Sequence, residues 1–513
     1  DYSGTKQRCG YRETDPLEPV AQYGGDAAVA PQDINACPAL IIAEGAVHCG
    51  ITGPGVIDGR RSHAHGYTRE KGRPFLLVFA DCAHVSVEDV TLQNPGLFTV
   101  WSVNNRDVRI RGIRIFSRDS LNGDGIDFDG SRDVVISDCV LDTGDDAVSP
   151  KSTRPDRVCE NITVTNCVIS SSFAALRLGP DAVADIRGLT MSNCVFRGCN
   201  DGFKIQPTEG AGMEDLFFSN IVMEDVARPF FLVQGRFPLS AFSGNRPKAG
   251  AMRRVYFENI SARMSQPPPM ENGERFMSCS YIYAQPGGCV EDIRLSGVRI
   301  TAPGGGTPAD AARADHPEAL DYAGGYPEVL PELGTYPASA LYIKNVSDAT
   351  LTDCVFDHAA PDSRCAVAAE NVGRLTVSGA WAKGGGGLLR HYRCADLSVF
   401  GSEGEIRPLT GEQARQWEQT RKKAAAADKL FDASAAVIDQ VQGLGAFARY
   451  DFKKPVVFNY AGGEICAVFR RFRGRLRLFV NGCLVYEWAP AEPYVFYTDI
   501  GVRLTDFLKE MNV

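Results

Sequence analysis

The sequence predicts an all-β fold: a right-handed parallel β-helix, with a helix and a small β-rich C-terminal domain appended. Three observations carry that prediction. The first is a recurring hexapeptide that runs apolar, any, apolar, any, then Asp, Asn or Gly, then an apolar residue or Cys. It reads VSVEDV at 85, VRIRGI at 108, VVISDC at 134, ITVTNC at 162, LTMSNC at 189, LFFSNI at 216, VYFENI at 255, IRLSGV at 293, ATLTDC at 349 and LTVSGA at 375. The second is its spacing, 23 to 28 residues between positions 85 and 216, which suits a coil of three short strands and three turns. The third is the period-two alternation inside each repeat, which buries one face of a strand. A coil of that size cannot bury its apolar face alone; stacked coils with equivalent strands about 4.8 Å apart can. Leucine-rich repeats are the rival reading, but neither the consensus leucines nor a helical half-unit is present.

Each element follows from that frame. The Asp, Asn or Gly at the fifth motif position is expected at a bend, and the sixth position in the core. Cys139, Cys167, Cys194 and Cys354 share that sixth position, so they read as small core hydrophobes rather than disulfide staples or metal ligands. Reduced thiols fit a cytoplasmic enzyme, or a secreted or periplasmic one if a leader precedes the chain. The repeats widen after 216, and QPPPMENGERF (266 to 276) and the Pro- and Gly-rich stretch 302 to 337 must leave the stack as loops. Long excursions from a solenoid line its binding face. After Glu405 the repeat stops. LTGEQARQWEQTRKKAAAADKLF reads as a helix opened by a Thr410 and Gln413 capping box, and alternating strands follow from about Gly443. The expected domains are therefore a β-helix over 1–405, a helical cap or linker over 406–442, and a β-rich accessory domain over 443–513.

Composition bounds the function. With 44% hydrophobic residues the 513-residue chain is an ordinary globular protein, and its net charge of −9 argues against a nucleic-acid partner. No apolar run approaches the length of a membrane span. Nothing in the sequence sets an oligomeric state.

The chemistry concentrates in LNGDGIDFDGSRDVVISDCVLDTGDDAVSPKS, residues 121 to 152. Asp124 and Asp145 are 21 residues apart, close to one turn of the solenoid, which puts them on neighbouring coils with Asp146 beside them. Adjacent side chains of a regular strand point to opposite faces, so Asp145 and Asp146 can both face outward only where the backbone bends, and Gly144 permits a bend. Clustered carboxylates repel, which raises at least one pKa and retains a proton for acid catalysis. Glycoside hydrolysis uses such a division, and a gap of roughly 6.5 to 9.5 Å between the carboxyls would admit a water and imply inversion. Local turn chemistry and a calcium loop in NGDGIDFDG are competing readings, the latter without the distant Glu of an EF-hand.

These residues resemble glycoside hydrolase family 28, the polygalacturonases and their relatives. NGDGID (122 to 127) resembles that family's NTDGxD and TGDDAVSPKS (143 to 152) its GDD motif. ITGPGVIDGRR (51 to 61), RPFLLVFADCAHVSVEDVTLQNPGLFTVW (73 to 101) and YPASALYI (336 to 343) resemble its bacterial branch. The likeness spans roughly residues 37 to 380, and it implies that the family's first coils are missing from the start of this sequence, so that an N-terminal extension or another cover is expected over the apolar end. It implies single-displacement hydrolysis of α-linked uronides in pectic polymers, with Asp145 as general acid, Asp124 and Asp146 holding the water, and no cofactor. Asn122, Lys204, Gln206 and Arg177 are the expected substrate-binding residues. Two departures stand out: Ala174 replaces the histidine of the family's GHG, and Lys204-Ile205-Gln206 replaces its RIK. Arg177 is a candidate to restore the lost positive charge.

The expected function is thus an inverting glycosidase acting on pectin-derived oligosaccharides of the galacturonan or rhamnogalacturonan type, with the inserted loops suggesting action from chain ends. A non-catalytic carbohydrate-binding β-helix is the alternative that Ala174 and Gln206 raise. A calcium-dependent lyase using Lys204 as base is a third.

Overall fold

In the computed structural model, residues 39–60, 74–120, 122–235, 248–266, 279–285, 287–313 and 335–419 are described, together with the backbone of four strands between Val456 and Trp488. The architecture is the parallel β-helix that the repeats predict. Among the described residues, thirteen parallel strands, from Ala39–Glu44 to Ile406–Pro408, form one long sheet. A second sheet of twenty strands covers the other sides of the coil.

The hexapeptide sets the register. Val85, Val108, Val134, Ile162, Leu189, Leu216, Val255, Ile293, Ala349 and Leu375 lie abreast in one continuous ladder, each in the same place on its own coil. The fifth motif residue is in the left-handed region in all ten repeats, from Asp353 at φ 51° to Gly112 at φ 65°. An L-residue pays roughly 1–2 kcal/mol there, least for Asn, Asp and Gly, which is why the repeat admits only those three types. Side-chain ladders offset the cost: Asn166 Nδ2 donates to Asp138 Oδ1 at 3.2 Å, Asn220 to Asn193 at 3.1 Å and Asn259 to Asn220 at 2.7 Å. The sixth residue, Cys139, Cys167, Cys194 and Cys354 included, is buried in the central core. The described cysteines of the β-helix are all free thiols.

Strands of the thirteen-stranded sheet point alternate residues into this core and away from it. One outward row reads Trp101, Asp127, Ser149, Arg177, Lys204, Phe231, Tyr281 and Tyr342. That row is buried, so the outer face of this sheet carries a second, covered layer rich in charge at its middle and in aromatic rings beyond it.

At the C-terminal end, a helix over 411–419 follows the last strand. Trp417 is buried there against Tyr392, and its Nε1 donates to Glu370 Oε2 at 2.8 Å. Gln413 Nε2 reaches Ala312 O at 3.0 Å, in the short helix Pro308–Ala312 of the long insertion. Farther on, Val456–Tyr460, Gly463–Phe472, Arg475–Val480 and Cys483–Trp488 pair as an antiparallel sheet. The readings for 1–38, most of both long loops, the rest of the helix and FARYDF lie outside the described residues. No helix among the described residues is long and apolar enough to cross a membrane.

Candidate active site

Asp124, Asp145 and Asp146 converge, with one oxygen of each within 4.8 Å of the other two. The register that brings them together differs by one residue from the reading by spacing. Ile126 pairs with Val148, and Gly125 N donates to Asp146 O at 2.9 Å. One coil here is thus 22 residues, Asp124 stands abreast of Asp146, and Asp145 precedes it.

The bend expected at Gly144 is present, and its cause is close approach rather than left-handed geometry. A β-carbon at Gly144 would run into the carbonyl oxygens of Ser120, Arg118 and Ser117. The bend is pinned from both sides, Thr143 Oγ1 and Ser171 Oγ donating to Asp145 O at 2.6 and 2.7 Å. It turns both carboxyls toward Asp124.

Each carboxyl has its own surroundings. Asn122 Nδ2 donates to Asp145 Oδ2 at 2.9 Å, and the backbone N–H of Asp146 donates to Asp145 Oδ1 at 2.9 Å. Arg177 Nη1 donates to Asp146 Oδ2 at 2.8 Å in a buried ion pair, and the N–H of Ala174 donates to its Oδ1 at 3.2 Å. Asp124 is 3% exposed, and its Oδ1 has no hydrogen-bond partner among the described residues. Burial, with repulsion from Asp127 and Asp145, pushes the Asp124 carboxyl well above the usual carboxylate range.

Behind the cluster lies a second group that the motifs do not reveal. Lys151 Nζ sits 3.5 Å from Asp127 and 3.7 Å from Asp181. Burial pushes Asp127 up to about 7, with Lys151 pulling the other way. Burial alone would lower the Lys151 pKa, but Asp127 and Asp181 more than offset it and raise it above its ordinary value. Asp129 turns away, accepting from Thr153 N at 2.9 Å and Thr153 Oγ1 at 2.5 Å. The alternating acids of NGDGIDFDG therefore do not converge as calcium ligands would. Lys151 falls two residues beyond Ser149, the residue abreast of Asp127, but Asp181 lies past the strand Ala174–Leu178 and no sequence signal points to it.

The predicted binding residues divide. Asn122 and Arg177 join the carboxylate cluster. Lys204 pairs in register with Arg177 one coil on, 3.9 Å from Asp201, whose carboxylate Arg228 also grips in fork geometry at 2.5 and 2.7 Å. Gln206 extends that strand, its N–H donating to Leu178 O at 2.9 Å. The nearest oxygens of the catalytic candidates are closer than the 6.5 to 9.5 Å gap that would by itself imply inversion. The reason is covalent and geometric: two of the acids are chain neighbours, and the third is one strand spacing away.

A parallel β-helix whose long sheet carries three converging carboxyls and an arginine is a solenoid with an acid–base centre. The chain belongs to the glycosyl hydrolases family 28, whose model matches residues 24–309. It is 23% identical to a probable exopolygalacturonase B of Aspergillus flavus, over 46% of this chain and 55% of that protein. It is 32% identical to a probable polygalacturonase of Vitis vinifera, over 26% of this chain and 28% of that one. Among solved structures it matches a hyperthermoactive exopolygalacturonase from Thermotoga maritima at 24% identity and TM-score 0.34, covering 45% of this chain and 50% of the other. The chain spans about half the length of the curated relatives it matches.

Proposed function

We propose that the protein is a glycosidase that hydrolyses α-glycosidic bonds of pectin-derived oligosaccharides with inversion, acting from chain ends. The observation that carries this reading is the convergence of Asp124, Asp145 and Asp146 around one point, with Arg177 against Asp146. Membership of family 28 supports the reaction class, and all three carboxyls are buried. Asp145 gives its proton to the leaving oxygen, while Asp124 and Asp146 hold and activate the water.

One observation favours a second assignment within the same reaction. Asp145 accepts two hydrogen bonds, which favour an ionised carboxyl, whereas Asp124 is the member pushed upward by burial. In that version Asp124 is the acid.

The experiment is hydrolysis of a panel of pectic oligosaccharides by wild type, Asp145→Asn and Asp124→Asn, read by mass spectrometry, with the anomer followed by NMR. Asp145→Asn should lower turnover at least 10³-fold on natural linkages. On an aryl glycoside whose leaving group needs no proton, only the variant lacking the acid should recover, which separates the two assignments. Unchanged hydrolysis by both variants would end the proposal. Binding without release would make the protein a carbohydrate-binding module.

A further inference from the structure

The outer face around the carboxylate cluster holds its cations in ion pairs. Each cation there lies against a carboxylate: Arg177 against Asp146, Lys151 between Asp127 and Asp181, and Lys204 and Arg228 around Asp201. A sugar bearing its own carboxylate would bring a further negative charge into this buried face and would have to break an existing ion pair to be received. Either step is unfavourable in a desolvated site.

One group on the same face is built for a neutral partner. Gln206 follows Lys204 by two residues on the ladder that continues past Leu178, and it is fully buried. Both its amide oxygen and its amide nitrogen lack a hydrogen-bond partner among the described residues. Leaving both ends of a buried amide unsatisfied is destabilising, and buried polar groups of native proteins are nearly always answered. A donor and an acceptor side by side match a sugar hydroxyl or a pair of them, since each hydroxyl both gives and takes a hydrogen bond.

We infer that Gln206 is a specificity-determining residue and that the sugar seated beside the reaction centre is neutral, a hexose or deoxyhexose unit of the pectic chain rather than a uronate. This rests on the hydrolase reading for the reaction and narrows its substrate. The orphaned amide is answered only when that sugar is bound.

The test uses two α-linked trisaccharides identical except at C6 of the sugar on the non-reducing side of the scissile bond, hydroxymethyl in one and carboxylate in the other. Turnover is measured with wild type and binding by calorimetry with Asp145→Asn. The neutral member should bind at least tenfold more tightly, and anything short of that overturns the inference, as does failure to bind either. A tenfold binding preference without turnover by wild type would leave this inference standing and remove the hydrolase reading. Gln206→Met keeps the size and removes the amide; it should cost at least tenfold in affinity for the neutral member, with the melting curve confirming the fold. Unchanged affinity in that variant would remove Gln206 from the account.

Discussion

At the scale of single residues, the site shows how a lost side chain is covered by others. Ala174 has no ring to offer, yet its N–H still reaches Asp146, and Arg177, three residues on, supplies a cation from the same strand. The missing histidine and the arginine near it are both legible in the sequence, because both changes lie inside a recognisable pattern. Lys151, Asp127 and Asp181 are not legible as a group, because their meeting depends on which residues two successive coils bring abreast. Their titration gives a pH signature. Asp127 is pushed up to about 7 in the fold, against about 4 in an unfolded chain. Between those values the native state holds the extra proton, so the contribution of Asp127 to stability is fully present below about pH 4 and is lost as pH rises through 7. Asp124 acts in the same direction. His391, lowered by burial, acts in the opposite one, so the comparison must be made against a variant. Calorimetric melting of wild type and Asp127→Asn from pH 5 to 8 should show the wild type losing stability relative to the variant as pH rises; parallel curves would contradict it.

At the scale of elements, the repeat makes the twenty-stranded sheet legible almost residue by residue, because its turns demand Asp, Asn or Gly at one place and its strands show only one face to the core. The thirteen-stranded sheet is harder to read. Both its faces are buried, so strands such as Phe75–Ala80 and Ala338–Lys344 lack the alternation that betrays a half-exposed strand. The 21-residue spacing of Asp124 and Asp145 puts them on neighbouring coils without fixing which residue stands abreast, since a coil's length varies and only a paired neighbour sets it. Gly144 is where element and site meet. Gly144→Ala would press a methyl against three carbonyl oxygens and shift the Asp145 and Asp146 carboxyls together. A displacement of about 1 Å is worth roughly 100-fold in rate. Turnover should therefore fall by about that factor while the melting temperature changes by only a few degrees, as steady-state kinetics and calorimetry on the same sample would show.

At the scale of the whole molecule, one buried carboxylate ties the far end together. Glu370 accepts from Tyr342 Oη at 2.5 Å, from Arg390 Nη2 at 2.7 Å and from Trp417 Nε1 at 2.8 Å. Arg390 in turn donates to Ala311 O and Arg313 O at the end of the short loop helix. Successive coils and the 411–419 helix thus share a single acceptor, and the inserted loop is tied to it through Arg390. Glu370→Gln leaves a buried guanidinium without its counter-charge, which costs about 3–5 kcal/mol. Hydrogen exchange should show the 411–419 helix and the 308–312 helix losing protection together, and loss in one alone would show that they are not coupled. The left-handed turns of the second sheet have a further consequence, for the chain's capacity to change. A deletion within a strand flips every later side chain to the wrong face, whereas residues added between coils leave the ladders aligned, as the 39-, 38- and 56-residue steps from 216 to 349 do. The lineage of this protein could therefore edit its loops freely and its coils only as whole units, so the excursions vary while the carboxylate cluster stays anchored.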